Sequence, residues 1–136
     1  MQFPDFVLKD ENGESLDSSF LKGMRMVVCF IPDLGEGSVE ELCDFDSIYQ
    51  KVMIRNIVTL MVVKAECPDL RAIMDKCSIR VKLLSDMDDT LVKACGLEGR
   101  ATVMVSKEGE IVSSWSSVKP SGHADAVYEK VKSLFK

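Results

Sequence analysis

The chain has 136 residues, 46% hydrophobic and 29% charged, with a net charge of −5. That length suits one domain spanning residues 1–136 with a real core, and the composition is not that of a disordered chain. The acidic balance, with no basic cluster, counts against a nucleic-acid surface.

The first residues, MQFPDFVLKDENG, have neither a basic nor an apolar leader region, so no secretory signal is expected. Phe6-Val7-Leu8 reads as a short strand. The turn Asp10-Glu11-Asn12-Gly13 follows, and its Asn-Gly pair favours a tight hairpin. The stretch from Asp17 to Gly23 reads as one capped helical turn ended by glycine. Met26 to Ile31 is apolar throughout, as a strand buried on both faces would be, and Pro32 ends it.

Next comes the stretch LGEGSVEELC. From Val39 to about Arg55, Val39, Leu42, Phe45, Ile48, Tyr49 and Val52 recur at helical spacing. Ser38-Val39-Glu40-Glu41 fits a capping box, in which Ser38 caps the helix and Glu41 reaches back to the amide of residue 38. Ile57 to Val63 is a second continuous apolar strand. Neither it nor MVVCFI is long enough to cross a bilayer, so no membrane association is expected and the cytoplasm is the default location.

Pro68 opens a helix through Asp69 to Met74, near the position where proline costs least. Val81 to Leu84 is a short strand, and Asp89 to Ala94 a short helix with Gly96 placed to end it. Ala101 to Val105 and Ile111 to Trp115 form a hairpin around Lys107-Glu108-Gly109-Glu110. Ser121 or Gly122 caps a final amphipathic helix. Apolar strands alternating with helices give an α/β fold covered on both faces, and the closing hairpin makes the sheet mixed.

The five cysteines are Cys29, Cys43, Cys67, Cys77 and Cys95. There is no C-x-x-C pair and one histidine, so no metal or other cofactor is expected. Cys29 and Cys95 read as buried thiols. Cys67 is a candidate exposed thiol, and a Cys67–Cys77 pairing stays open.

In their order and spacing, FPDFVLKDENGE, FLKG, VVCFIPD, KAECPDLRAIMDKC, KLLSDMDDTLVKACGL, RATVMVSKEGEIVSSW and VKPSGHADAVYEKVKSLF resemble the peroxiredoxins. These are thiol peroxidases of thioredoxin-like fold, and the resemblance is to the bacterioferritin-comigratory-protein type, also called PrxQ. It covers essentially the whole chain. It implies a central mixed sheet flanked by helices, with an N-terminal β-hairpin. It implies a peroxide substrate and a thiol reductant such as thioredoxin, in a monomer or weak homodimer.

The family's active-site loop reads P-x-x-x-T-x-x-C, with the peroxidatic cysteine in the first turn of the next helix. In this register Pro32 matches the proline, Gly35 replaces the threonine, Gly37 matches a glycine, and the loop is one residue shorter. Ser38 stands at the peroxidatic position. Cys43 falls where this subgroup often carries its resolving cysteine, and Arg100 matches the family arginine.

Peroxide reduction needs a thiolate that becomes a sulfenic acid and then a disulfide, and a serine hydroxyl has no such ladder. No Ser-His-Asp set is expected either, since the resemblance puts His123 remote from the site. Activity at position 38 is therefore expected to be absent or impaired. The serine has two possible origins, an engineered replacement or divergence, and the missing threonine and shortened loop point to divergence. The alternative function is a non-catalytic thioredoxin-fold binding or redox-sensing module using Cys43 or Cys67. Cys43 itself reads either as a former resolving thiol or as a thiol on the flank of the apolar stripe. For Arg100 the structural alternative is an ion pair with Glu36 or Glu40.

Overall fold

The apolar run Arg25–Ile31 forms β3, and its alternation explains why it has no polar face. Val27, Cys29 and Ile31 point into one core, while Met26, Val28 and Phe30 point into another. Both sets are buried. The computed structural model describes residues 1–135 and places this strand near the middle of one seven-stranded sheet.

The remaining strands are β1 (Val7–Asp10), β2 (Ser15–Asp17), β4 (Ile57–Val63), β5 (Lys82–Ser85), β6 (Ala101–Val105) and β7 (Ile111–Trp115). Their order in the sheet is β2-β1-β5-β4-β3-β6-β7. The three central strands, β5, β4 and β3, are parallel, and both flanks are antiparallel. Helices α1 (Glu36–Met53), α2 (Cys67–Cys77) and α4 (His123–Leu134) bury their apolar stripes on the Val27–Cys29–Ile31 face. The short α3 (Thr90–Ala94) and Phe6 from the N-terminal segment cover the opposite face. No helix among the described residues is long and apolar enough to cross a membrane.

Local chemistry sets most boundaries. Asp10 accepts from the amides of Asn12 and Glu14, which closes the first hairpin with Gly13 at φ +77°. Asp17 caps the single 3₁₀ turn Ser18–Leu21 by accepting from the Ser19 amide. Pro68 sits in the first turn of α2, as expected.

One expectation fails and one open alternative closes. Helix α1 begins at Glu36, with Gly35 as its N-cap, so Ser38 lies inside the first turn and caps nothing. The cause is Asp33, whose carboxylate accepts from the Gly35 amide and turns the chain earlier than the apolar pattern suggests. The Val39 amide then bonds to the Gly35 carbonyl. The Cys67–Cys77 pairing, left open by the sequence, is excluded in this fold. The two residues end the same helix, about 15 Å apart along its axis, whereas a disulfide needs Cα atoms within about 7 Å.

Candidate active site

Strand β3 ends at Ile31, and half-buried Pro32 follows. The loop Asp33-Leu34-Gly35 then delivers the chain into α1. Two glycines permit this approach. A side chain at Gly35 would crowd the Asp33 carboxylate at 3.3 Å, and one at Gly37 would crowd Pro120 at the same distance. The segment before α4 therefore lies directly against the first turn of α1.

Ser38 is fully buried. Its hydroxyl donates to Asp33 Oδ1 at 2.6 Å and accepts from Arg100 Nη2 at 2.8 Å. Arg100 precedes β6, which pairs with β3, so the sheet carries its guanidinium to the end of α1. The other guanidinium nitrogen, Nη1, meets Glu41 Oε1 at 3.1 Å. Glu41 lies three residues beyond Ser38, on the same side of the helix. Arg100 thus pairs with Glu41, not with Glu36 or Glu40, because Glu41 is the acid that this face turns inward.

The charge balance is uneven. The Ser38 hydrogen bond, then the Gly35 amide and Arg100, hold the Asp33 carboxyl below its ordinary range. Glu41 shows the opposite behaviour. Burial raises it from an ordinary 4.5 to about 7, and Arg100 only partly offsets that rise. Its second oxygen, Oε2, is buried without a hydrogen-bond partner.

His123 is nearer than expected. It is buried beneath the same cluster, where Nε2 lies 2.8 Å from Thr102 Oγ1 and the ring packs edge-on against Phe45 and Trp115. Burial and then Arg100 lower its pKa, so the imidazole is neutral near pH 7. Thr102 sits opposite Cys29 in the β3–β6 register. Burial, first of all, pushes the Cys29 thiol well up, and Glu41 adds to that.

The fold therefore joins Ser38 and Arg100, with Pro32 at the loop's entrance, and does not bring Cys43 to them. Five residues of helix separate Cys43 from Ser38, about 140° of rotation and 7.5 Å of rise. Cys43 is exposed, and burial first, then Cys77, push its thiol up. Sequence reasoning missed Asp33, Thr102 and the pairing role of Glu41. Asp33 had a readable signal, an Asp two residues before a glycine after a strand-ending proline. Thr102 had none short of strand register.

The first 114 residues match the AhpC/TSA family. The chain is 28% identical over 138 residues to a putative peroxiredoxin bcp of Coxiella burnetii, covering 91% of each protein. It is 26% identical over 146 residues to peroxiredoxin Bcp of Bacillus subtilis, covering 96% of this chain and 92% of that protein. Its fold superposes on peroxiredoxin Q of Xanthomonas campestris with a TM-score of 0.90 at 26% identity, over 96% of this chain and 92% of the other.

Proposed function

The chain belongs to the AhpC/TSA family as a peroxiredoxin of the Bcp/PrxQ type, and from that premise we propose that its peroxidatic position is Ser38 and no longer reduces peroxide. The family chemistry is thiol peroxidase chemistry, with a peroxide as substrate and a thiol as reductant. In that cycle a thiolate attacks one peroxide oxygen, the O–O bond breaks, and water or an alcohol leaves. The sulfur becomes a sulfenic acid, and a second thiol displaces water from it to give a disulfide. Each step requires sulfur at the first position.

The single observation that carries the reading is the pair of contacts on the Ser38 hydroxyl, to Arg100 and to Asp33. Arg100 and the first turn of α1 are what would lower a cysteine pKa here. The Asp33 carboxylate works against them, because a thiolate beside it would be repelled. Nor does the cluster activate the serine as a nucleophile. Asp33 is held below its usual range and is a poor base, and His123 bonds Thr102 instead. The hydroxyl is also fully buried. We place the protein in the cytoplasm as a monomer or weak homodimer, with no nucleic-acid or membrane partner. The alternative, a non-catalytic thiol module, draws support from the exposure of Cys43.

Two variants test the assignment of position 38. Ser38→Cys should give a thiol that reacts slowly with hydrogen peroxide. Ser38→Cys/Asp33→Asn keeps the turn acceptor but removes the charge, and should raise that thiol's reactivity roughly tenfold. Measuring alkylation rate against pH and peroxide consumption under excess dithiothreitol reads both. If neither variant reacts faster than the parent, position 38 is not the peroxidatic site.

A further inference from the structure

Cys43 and Cys77 are two free cysteines away from the Ser38 cluster. Cys43 projects from α1 on the side that faces the C-terminal end of α2. Two contacts hold that end in place one turn further along α1. Asp46 Oδ1 accepts from the backbone amides of Arg80 at 2.7 Å and Val81 at 2.9 Å. The Arg80 guanidinium lies 5.8 Å from the centre of the Tyr49 ring. Cys43, Asp46 and Tyr49 follow one another at helical spacing, so one face of α1 carries the whole contact. Asp46, one turn beyond Cys43, thus fixes the segment that follows Cys77 against α1, which sets the two cysteines near each other.

We propose that Cys43 and Cys77 are a reversible dithiol–disulfide site that exchanges with small disulfides of the glutathione class. Cys43 is exposed and Cys77 half-buried, so attack begins at Cys43. Its thiol loses a proton to solvent, and the sulfur attacks one sulfur of the small disulfide. One small thiolate leaves, and Cys43 is held in a mixed disulfide. Cys77, deprotonated in turn, attacks the Cys43 sulfur and releases the second small thiolate. Two electrons pass from the two protein thiols to the incoming disulfide, which leaves as two thiols. A reducing thiol reverses both steps. No cysteine at position 38 is involved. Burial pushes the Cys43 thiol up from its ordinary value, and the Cys77 thiol, Asp44 and Asp46 add to the rise. This suits slow exchange in place of peroxide chemistry.

The other thiols do not compete on geometry. Cys29 and Cys95 are buried, and Cys67 stands at the far end of α2. The site is independent of the Ser38 reading, and its test uses no peroxide. The parent chain, Cys43→Ser, Cys77→Ser and Cys67→Ser are equilibrated in glutathione buffers from fully reduced to fully oxidised. Free thiols are then alkylated, and intact mass and linked peptides are read.

The expected result is an internal Cys43–Cys77 disulfide in the parent and in Cys67→Ser, with two thiols protected from alkylation and regained on adding reduced glutathione. Cys43→Ser and Cys77→Ser should instead stop without an internal disulfide. Glutathione mixed disulfides alone in the parent, a different cysteine pair, or five free thiols at every ratio would each overturn the proposal. Circular dichroism of the two serine variants checks folding. Should either be unfolded, the linkage mapped in the parent still decides.

Discussion

Glu41 is a buried acid with one good partner, Arg100, and one oxygen that has none. Its pKa of about 7 means that the folded state binds a proton that the unfolded chain has released. The stability this provides is full below about pH 4.5 and is lost as the pH rises through 7. Glu41→Gln removes the titration while keeping an acceptor for Arg100. The variant should therefore gain on the parent as the pH rises from 4.5 to about 7.5, by up to about 3 kcal/mol, and hold that gain above. Urea unfolding at a series of pH values measures this, and parallel profiles for the two proteins would refute it. Arg100→Ala should be costly for the same reason. Glu41 loses its cation and takes up a proton, and Ser38 loses a donor, a loss of about 1 to 3 kcal/mol near pH 7.

At the scale of elements, the start of α1 depends on what packs against it. Gly37 lets Pro120 lie close, so Gly37→Val should separate the α4 entry segment from the helix. The expected loss is about 1 to 3 kcal/mol, and an unchanged melting curve would contradict the contact. Asp46→Ala removes an acceptor from two backbone amides at the α2 exit, for a similar loss of about 1 to 3 kcal/mol. The strands Ile57–Val63, Ala101–Val105 and Ile111–Trp115 were legible to the residue, because continuous or alternating apolar runs state their own limits. The start of α1 was not. The S-x-x-E pattern at Ser38 imitates a cap, while the actual turn is made by an aspartate five residues earlier. Likewise no spacing rule joins Cys43 to Cys77, since their contact depends on how two helices sit on one sheet.

For the whole molecule, the sheet explains why the family framework persists at this site. Its central strands place the Pro32 loop, the first turn of α1 and Arg100 at one end. The α/β class and the mixed sheet were readable from runs and turns. The antiparallel pairing of β1 with β5, which puts the first hairpin on the far edge, was not, because it joins segments more than 70 residues apart. The same geometry keeps Cys43 from Ser38 and gives it another neighbour.

The central claim is that position 38 of this chain does not turn over peroxide. The most direct measurement is hydrogen peroxide consumption by the parent chain with thioredoxin, thioredoxin reductase and NADPH, beside Ser38→Ala and a conventional PrxQ peroxiredoxin. The parent should consume peroxide no faster than Ser38→Ala, and at least about a thousandfold more slowly than the conventional enzyme. Turnover by the parent within about tenfold of that enzyme, whether or not Ser38→Ala shares it, would contradict the claim that this scaffold has lost its peroxidase.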